Sequence, residues 1–202
     1  VTATVTVSDG SLTDTQEVTV TVTDVNEAPS ITSSASFSAD ENQTAIGTVT
    51  ATDPESDTLT FSVSGSDLAI DSSTGVLTFA SAPDFETTTS VTATVTVSDG
   101  SLTDTQEVTV TVTDVNEAPS VTSGATFTAA ENQTAVGTVT ATDPESDTLT
   151  FSVSGSDLAI DSSTGVLTFV TAPDFETTTS VTATVTVSDG TNSSTQDVTV
   201  TV

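Results

Sequence analysis

Alternating apolar residues open the chain. Val1, Ala3, Val5 and Val7 are separated by polar Thr, and the alternation returns at 18–22. A period of two residues is that of a β-strand with one buried face. Ser-Asp-Gly-Ser at 8–11 is a turn signal between the two stretches. Residues 1–23 therefore predict a two-stranded hairpin. Because a lone hairpin is marginal in water, we interpret it as the tail of a domain whose earlier strands precede the chain.

The segment from about 30 to 113 shows further short apolar stretches, separated by turn residues and acids. No apolar set in it recurs at the helical period of 3.6. The pattern predicts strands at 33–39, 46–52, 59–63, 68–70, 76–79, 91–97 and 105–113. The apolar spacing slips once within 46–52, which indicates a bulge. Seven short strands in one segment of this length predict an all-β fold, a Greek-key sandwich of the immunoglobulin-like type.

The sequence repeats every 90 residues. Val-Thr-Ala-Thr-Val-Thr-Val-Ser-Asp-Gly occurs at 1–10, 91–100 and 181–190. Such a period fits one small all-β domain per repeat. We therefore predict tandem sandwiches joined end to end: 1–29 as the last two strands and linker of a truncated repeat, 30–119 as a complete repeat with its linker, and 120–202 as a complete repeat without the linker that would follow.

Charge narrows the possible functions. The chain has 29 acids, no Lys, Arg or His, and a formal net charge of −29. A negative charge of this size repels nucleic acid and anionic membranes. No apolar run approaches the ~20 residues of a membrane helix. We therefore expect neither nucleic acid nor a membrane as a partner. Without His, Cys, Lys, Arg or Tyr, most acid–base and nucleophilic schemes lack their usual residues. Paired carboxylates could serve glycoside hydrolysis, but no Trp or Tyr is present to stack on a sugar. We expect no enzyme.

The stretch Asp114-Val115-Asn116-Glu117-Ala118-Pro119 places three oxygen-bearing side chains within four residues, and it recurs at 24–29. The chain has no basic residue to neutralise these carboxylates, so a bound cation with oxygen ligands is predicted. The alternative is that the acids form a solvated surface. Other acids are expected to be simple surface or turn residues: Asp14, Asp104 and Glu107 near turns or strand starts, and Asp57, Asp67 and Asp71 as turn caps.

Six short motifs, in order and with strands between them, resemble the cadherin extracellular repeat in its bacterial cadherin-like form. They are Glu41-Asn42, Asp53-Pro54-Glu55, Ile70-Asp71-Ser72-Ser73-Thr74-Gly75, Asp84-Phe85-Glu86, Asp99, and the linker Asp114-Val115-Asn116-Glu117 with Pro119 just after it. The sequence departs from the animal pattern at three places. It has Asp84-Phe85-Glu86 where the animal repeats often have Asp-Arg-Glu, and Asp53 and Glu55 where they commonly have two Asp. It also has Glu117 where Asp is usual in the linker. Each departure at a ligand position keeps a carboxylate but changes its reach.

The resemblance implies that Ca²⁺ is bound at each linker by acids from both flanking repeats. The complete junction would use Glu41, Asp84, Glu86, Asp114, Asn116, Glu117, Asp143, Glu145 and Asp189. The earlier junction would use Asp24, Asn26, Glu27, Asp53, Glu55 and Asp99, and an upstream half without a linker would consist of Glu131, Asp174 and Glu176.

The resemblance also implies a secreted or cell-surface protein in which calcium rigidifies the repeats. The array would act as a stalk, extender or filament segment of a cell-adhesion protein, with neighbouring repeats of the same chain, and like chains in a filament or bundle, as its partners. The alternative is a module that recognises a carbohydrate or a partner cell surface through its repeats. Thr rows such as Thr92, Thr94 and Thr96 offer a flat hydroxylated face for a ligand, although Thr is also simply a strand-forming residue.

Overall fold

A computed structural model describes residues 1–202, and its regular structure consists of β-strands alone. The structure contains no helix that could span a membrane. The chain forms two compact units: unit 1 comprises 1–39, 44–81 and 90–111, and unit 2 comprises 40–43, 82–89 and 112–202. The short segments 40–43 and 82–89, which follow strands of the first complete repeat, thus belong to the second unit.

Unit 1 contains the first hairpin and the strands of the first complete repeat, two of which run on into unit 2 at their ends. The strands are β1 (Thr2–Ser8), β2 (Thr13–Thr19), β3 (Ser30–Ile31), β4 (Ser36–Asp40), β5 (Ala45–Thr48), β6 (Ala51–Thr52), β7 (Thr60–Val63), β8 (Leu68–Ile70), β9 (Val76–Phe79), β10 (Ser90–Ser98) and β11 (Thr103–Thr113). They form a four-stranded sheet of order β4-β11-β10-β7, a three-stranded sheet β5-β9-β8, and the pairs β3-β6 and β1-β2.

The core of unit 1 follows from the alternation along its longest strands. Val95 and Val97 on β10 and Val108 and Val110 on β11 have no exposed surface. The smaller sheet contributes buried Leu68, Leu77 and Phe79. Buried side chains of this size each stabilise the fold by ~1.5–3 kcal/mol through the hydrophobic effect. A core made from the inner faces of two sheets is the arrangement expected for a sandwich.

Unit 2 repeats this arrangement. Its strands are β12 (Ser120–Val121), β13 (Thr126–Thr128), β14 (Ala135–Thr138), β15 (Ala141–Thr142), β16 (Thr150–Val153), β17 (Leu158–Ile160), β18 (Val166–Phe169), β19 (Ser180–Ser188) and β20 (Ser193–Thr201). They form the sheets β13-β20-β19-β16 and β14-β18-β17 and the pair β12-β15. Strand β13 runs parallel to β20, while the other pairs in the unit are antiparallel. The core contains buried Leu158, Leu167, Phe169 and four Val from β19 and β20.

The structure confirms the all-β prediction and refines the predicted strands. The stretches at 68–70 and 76–79 are strands β8 and β9 as predicted. The stretch at 46–52 is divided into β5 and β6. A register shift lies between Ala45 and Gly47, at the start of the stretch in which a bulge was predicted. In the first hairpin the second strand, β2, ends at Thr19 and does not extend through Val22. Of the four Phe of the first complete repeat, Phe79 is buried, and Phe37, Phe61 and Phe85 are half-buried.

Candidate metal centre

Glu41 is the one charged side chain that the fold buries, with 3% of its surface exposed. It follows β4 and lies in unit 2. Its Oε2 accepts a hydrogen bond from the backbone N–H of Phe85 at 2.8 Å, and its Oε1 accepts one from the backbone N–H of Val115 at 2.9 Å. These bonds explain how a carboxylate tolerates this degree of burial, because hydrogen bonds to a charged acceptor are the strong ones.

The bend at 82–89 supplies the next two carboxylates. Asp84 shapes the bend: its Oδ1 accepts the backbone N–H of Glu86 at 3.0 Å, and its carbonyl accepts the N–H of Thr88 at 2.8 Å. Carboxylate oxygens of Glu41, Asp84 and Glu86 all lie within 4.8 Å of one another. Burial, and to a smaller extent the Asp84 side chain, raises the pKa of Glu86.

The linker adds side chains from 114–117. Asn116 donates its Nδ2 to Asp189 Oδ2 at 2.9 Å, which lowers the pKa of Asp189. The backbone N–H of Glu117 donates to Glu145 Oε2 at 3.3 Å. Carboxylate oxygens of Glu86, Asp114 and Glu145 lie within 4.8 Å of one another. The bend, the linker and the turns of the second complete repeat thus converge within unit 2.

Three carboxylate oxygens at this point are buried and have no hydrogen-bond partner: Glu117 Oε2, Glu145 Oε1 and Asp143 Oδ2. Glu145 and burial together raise the pKa of Glu117 to about 7. Two unit charges about 4 Å apart repel by about 1 kcal/mol in water and about 4 kcal/mol at an intermediate dielectric. Since the chain has no Lys, Arg or His, no side chain of the protein can neutralise this group.

The oxygens that lack partners allow a test of whether the group fits calcium. Glu41, Asn42, Asp84, Glu86, Glu117 and Pro144 line a cavity of about 440 Å³ in unit 2. Calcium takes six to eight oxygen ligands, mainly carboxylates and carbonyls, and buried unpaired carboxylate oxygens are the atoms that such an ion would satisfy. The donor set therefore fits a hard divalent cation.

Unit 1 contains the related half-set around the first linker. Asn26 donates to Asp99 Oδ2 at 2.8 Å, and the backbone N–H of Glu27 donates to Glu55 Oε2 at 3.2 Å. The Glu27 side chain raises the pKa of Glu55. The pKa of Asp99 is lowered, mainly by the hydrogen bond from the backbone N–H of Leu102 and secondly by the bond from the Asn26 side chain. Asp53 Oδ2 is buried without a partner, as is its counterpart Asp143 Oδ2. Asp24 is exposed.

A third acidic group lies at Glu131, Asp174 and Glu176, with carboxylate oxygens within 4.8 Å of one another. All three side chains are exposed, and Glu131 Oε2 accepts the backbone N–H of Phe175 at 3.2 Å. Phe175 is 47% exposed, whereas its counterpart Phe85 is half-buried. These three residues are the counterparts of Glu41, Asp84 and Glu86 in the preceding repeat.

Two of the acids expected outside the site, Asp71 and Asp104, accept hydrogen bonds of different kinds. Asp71 caps its turn, because its Oδ1 accepts bonds from the backbone N–H and hydroxyl groups of both Ser73 and Thr74, which lowers its pKa. Asp104 does more than expected: its Oδ2 accepts the backbone N–H of Ile31 at 2.9 Å.

Two asparagines contact the site although the sequence did not predict either of them as part of it. Asn42 donates its Nδ2 to Glu117 Oε1, and its backbone is left-handed, with φ at 60°. Asn192 donates its Nδ2 to the carbonyl of Asn116 at 2.8 Å. The signal that could have identified Asn192 is its divergence between the copies, since the equivalent residue of the preceding repeat is Leu102.

Comparison with known families decides what the repeats are. The family model described as "Bacterial Ig domain" matches residues 26–111 and 116–201. The chain belongs to this family. The two matched bacterial Ig domains cover most of the sequence, one after the other. No curated protein matches the sequence.

Solved structures show what these bacterial Ig domains are similar to in fold. Human protocadherin-24 EC1-2 in its second crystal form is 20% identical, with a TM-score of 0.65, and the match covers 87% of this chain and 98% of that chain. Mouse cadherin-23 EC22-24 is 21% identical, with a TM-score of 0.57, covering 99% and 72%. Drosophila N-cadherin EC1-4 is 18% identical, with a TM-score of 0.59, covering 87% and 49%. The bacterial Ig domains of this chain thus have the cadherin-like sandwich fold, and the expected resemblance is confirmed.

Proposed function

We propose that this chain is a segment of an extracellular array of bacterial Ig domains that calcium rigidifies, serving as a stalk, extender or filament segment of an adhesion protein. The observation that carries the proposal is the group of buried carboxylate oxygens without partners at Glu117, Glu145 and Asp143. Neighbouring repeats of the same chain, and like chains in a filament or bundle, are the proposed partners. The role is structural, not catalytic.

The proposed ligand set is the one that the resemblance implies. Glu41, Asp84 and Glu86 would hold the cation together with Asp114, Asn116, Glu117, Asp143, Glu145 and Asp189. A bound divalent ion supplies positive charge to carboxylates that otherwise repel one another. The chain's own residues do the rest: Glu41 fixes the start of the linker through Val115, and Asn116 and Glu117 fix its middle through Asp189 and Glu145.

The mechanical consequence follows from the same repulsion. Several like-charged pairs, each costing ~1–4 kcal/mol, approach the ~5–15 kcal/mol that stabilises a whole domain. Without a cation the linker is therefore expected to be loose and self-repelling. Bound calcium would offset this repulsion, and the linker would become a stiff joint. Stiff joints repeated along an array extend it from a cell surface, which is the role expected of a stalk.

The test combines thermal melting with small-angle X-ray scattering on the full chain, after removal of metal, with calcium added at millimolar concentration and magnesium as the control. We expect calcium to raise the melting temperature and increase the maximum dimension, and magnesium to change both less, because it demands a tighter octahedral shell. If calcium moves neither quantity, the proposal is wrong and the acids are surface charge.

A further inference from the structure

The two complete repeats differ at the turn between their last two strands. Residues 99–104 read Asp-Gly-Ser-Leu-Thr-Asp, whereas residues 189–194 read Asp-Gly-Thr-Asn-Ser-Ser. Leu102 thus becomes Asn192, and Asp104 becomes Ser194. The preceding strands, 90–98 and 180–188, are identical in sequence, and the last strands differ further only by Glu107 in place of Asp197 up to their shared end at Val112 and Val202.

In unit 2 this turn holds Asn116 of the linker at two points. Asn192 Nδ2 donates to the carbonyl oxygen of Asn116 at 2.8 Å, and Asn116 Nδ2 donates to Asp189 Oδ2 at 2.9 Å. The turn is itself ordered, because Asp189 Oδ1 accepts the backbone N–H groups of Thr191 and Asn192, each at 2.6 Å. The Asn192 side chain is half-buried.

In unit 1 the equivalent turn holds Asn26 at one point only. Asn26 Nδ2 donates to Asp99 Oδ2 at 2.8 Å. Leu102, which takes the place of Asn192, has no side-chain donor and is 42% exposed. The second tether of unit 1 is elsewhere: Asp104 Oδ2 accepts the backbone N–H of Ile31, after the linker.

The hydrogen bond from Asn192 to the Asn116 carbonyl also affects Glu117, the next residue in the chain. The carbonyl of Asn116 and the N–H of Glu117 belong to one planar peptide group. Asn192 holds the carbonyl end of this plane at 2.8 Å, and Glu145 Oε2 holds the N–H end at 3.3 Å. Fixing both ends prevents the plane from rotating about the chain axis. The equivalent plane between Asn26 and Glu27 is held at its N–H end alone, by Glu55 at 3.2 Å.

We propose that Asn192 is a positioning residue that locks the Asn116–Glu117 peptide in place without any cation, so that the Glu117 side chain is already directed toward Glu145. At this one peptide, the junction that follows the first complete repeat is therefore preorganised, although its carboxylates still repel one another without a cation, and the junction that precedes it is not preorganised there. The two junctions share their linker sequence, and the difference at the Asn116–Glu117 peptide comes from a residue that is not one of the proposed ligands. Only the consequence for calcium affinity rests on the proposed function.

The test exchanges the two residues in the full chain. Asn192→Leu introduces the residue that the preceding repeat carries at the same position, so the variant is expected to fold, and Leu102→Asn is its mirror. Amide hydrogen exchange is measured by NMR in metal-free buffer. A net hydrogen bond of about 1 kcal/mol corresponds to about a five-fold change in exchange rate. Asn192→Leu should accelerate exchange of the Glu117 amide about five-fold, and Leu102→Asn should slow that of the Glu27 amide.

The Thr199 amide, which donates to the Ala125 carbonyl at 2.8 Å, serves as the internal control and should exchange at the wild-type rate in Asn192→Leu. If the Glu117 amide is unchanged, or changes only as much as that of Thr199, Asn192 is not a positioning residue. A slower Glu27 amide in Leu102→Asn supports the lock directly, and an unchanged Glu27 amide contradicts it.

A calorimetric calcium titration separates this inference from the proposed function. If the wild-type chain does not bind calcium, the proposed function is wrong, while the metal-free exchange rates still decide the role of Asn192. If the wild-type chain binds calcium, Asn192→Leu should bind it about five-fold more weakly at the second junction, because ordering of the linker then accompanies binding. Equal affinities would overturn the claim that the lock prepares Glu117 for a cation.

Discussion

The backbone N–H of Val115 donates a hydrogen bond to Oε1 of Glu41 at 2.9 Å. The other oxygen of the same carboxylate accepts the N–H of Phe85 at 2.8 Å, so one buried side chain ties the bend at 82–89 to the start of the linker. Glu131 occupies the equivalent position of the next repeat, but it is exposed, and its Oε2 accepts only the N–H of Phe175. Glu41 and Glu131 therefore provide a matched comparison within one chain.

Replacing Glu41 with Ala should lower the free energy of unfolding of the metal-free chain by about 2 kcal/mol at about 1 M NaCl, where repulsion between the carboxylates is screened, because two charge-assisted hydrogen bonds are lost and two backbone N–H groups are left unpaired. Glu131→Ala should change it by less than about 0.5 kcal/mol, as is usual for an exposed side chain. Urea denaturation of both variants measures the difference. Equal effects would show that the bonds of Glu41 do not stabilise the linker.

Asp143→Asn should weaken calcium binding about ten-fold or more, because it removes one charge from the proposed ligand set and replaces a buried oxygen that has no partner. Asp157→Asn makes the same change of charge at an exposed turn of the same repeat and should bind calcium as the wild type does. Calorimetric titration of the two variants tests this. A similar loss in both would mean that net charge, not the site, attracts the ion.

The stability of the metal-free chain should fall as the pH rises from about 5 to about 8. Glu117 has a pKa of about 7 in the folded chain, raised from an ordinary value of 4.5, so the folded state binds the proton more tightly than the unfolded state does. Its contribution is complete below the ordinary pKa and is lost as the pH rises through about 7. The shifts of Glu55 and Glu86 have the same sign.

Thermal melts in metal-depleted buffers from about pH 5 to about pH 8 measure how the melting temperature changes with pH. Glu117→Gln should flatten the dependence, since it removes the group with the raised pKa. Glu107→Gln, at an exposed position on β11, should keep the wild-type slope. A melting temperature that rises with pH over this range in the wild type would contradict the assignment.

Gly75→Ala should destabilise the chain by roughly 2–3 kcal/mol. Gly75 has φ at +71°, and a Cβ there would lie 2.2 Å from the carbonyl oxygen of Val49, so the substitution combines left-handed strain with a backbone clash. Gly65 has φ at +85° with nothing within 4 Å of the added carbon, and Gly65→Ala should cost only about 1 kcal/mol. Chemical denaturation distinguishes the two. Equal costs would show that the contact with Val49 relaxes freely.

The site could be predicted from the sequence only in part. Glu41, Asp84 and Glu86 were named from motifs, and the structure places their carboxylate oxygens within 4.8 Å. Their role as calcium ligands stays a prediction. Asn42 and Asn192 were not predicted as site residues, because nothing in the sequence around them indicates what their side chains contact. Their partners, Glu117 and the Asn116 carbonyl, lie 75 and 76 residues away in the chain, and only folding brings such groups together.

The strands could be predicted wherever apolar alternation was regular. Leu68–Ile70 and Val76–Phe79 are examples, because a period of two residues directly encodes a strand with one buried face. The break between β5 and β6 is less visible in the sequence. Val49 lies in that break and is nearly fully buried, and its N–H donates to the carbonyl of Gly75. Its conformation depends on a residue that is remote in sequence.

Residues 1–22 and 91–112 have the same sequence, and they show what sequence determines by itself. Both segments form a hairpin in the same register, with Val5 opposite Gln16 and Val95 opposite Gln106, because alternation and turn chemistry are local properties. Their environments differ. Val5 is 56% exposed and Val95 is fully buried, and the second strand ends at Thr19 in the first hairpin but extends to Thr113 in the other. Burial and strand length depend on a second sheet that covers the apolar face, so the tertiary structure alone decided them.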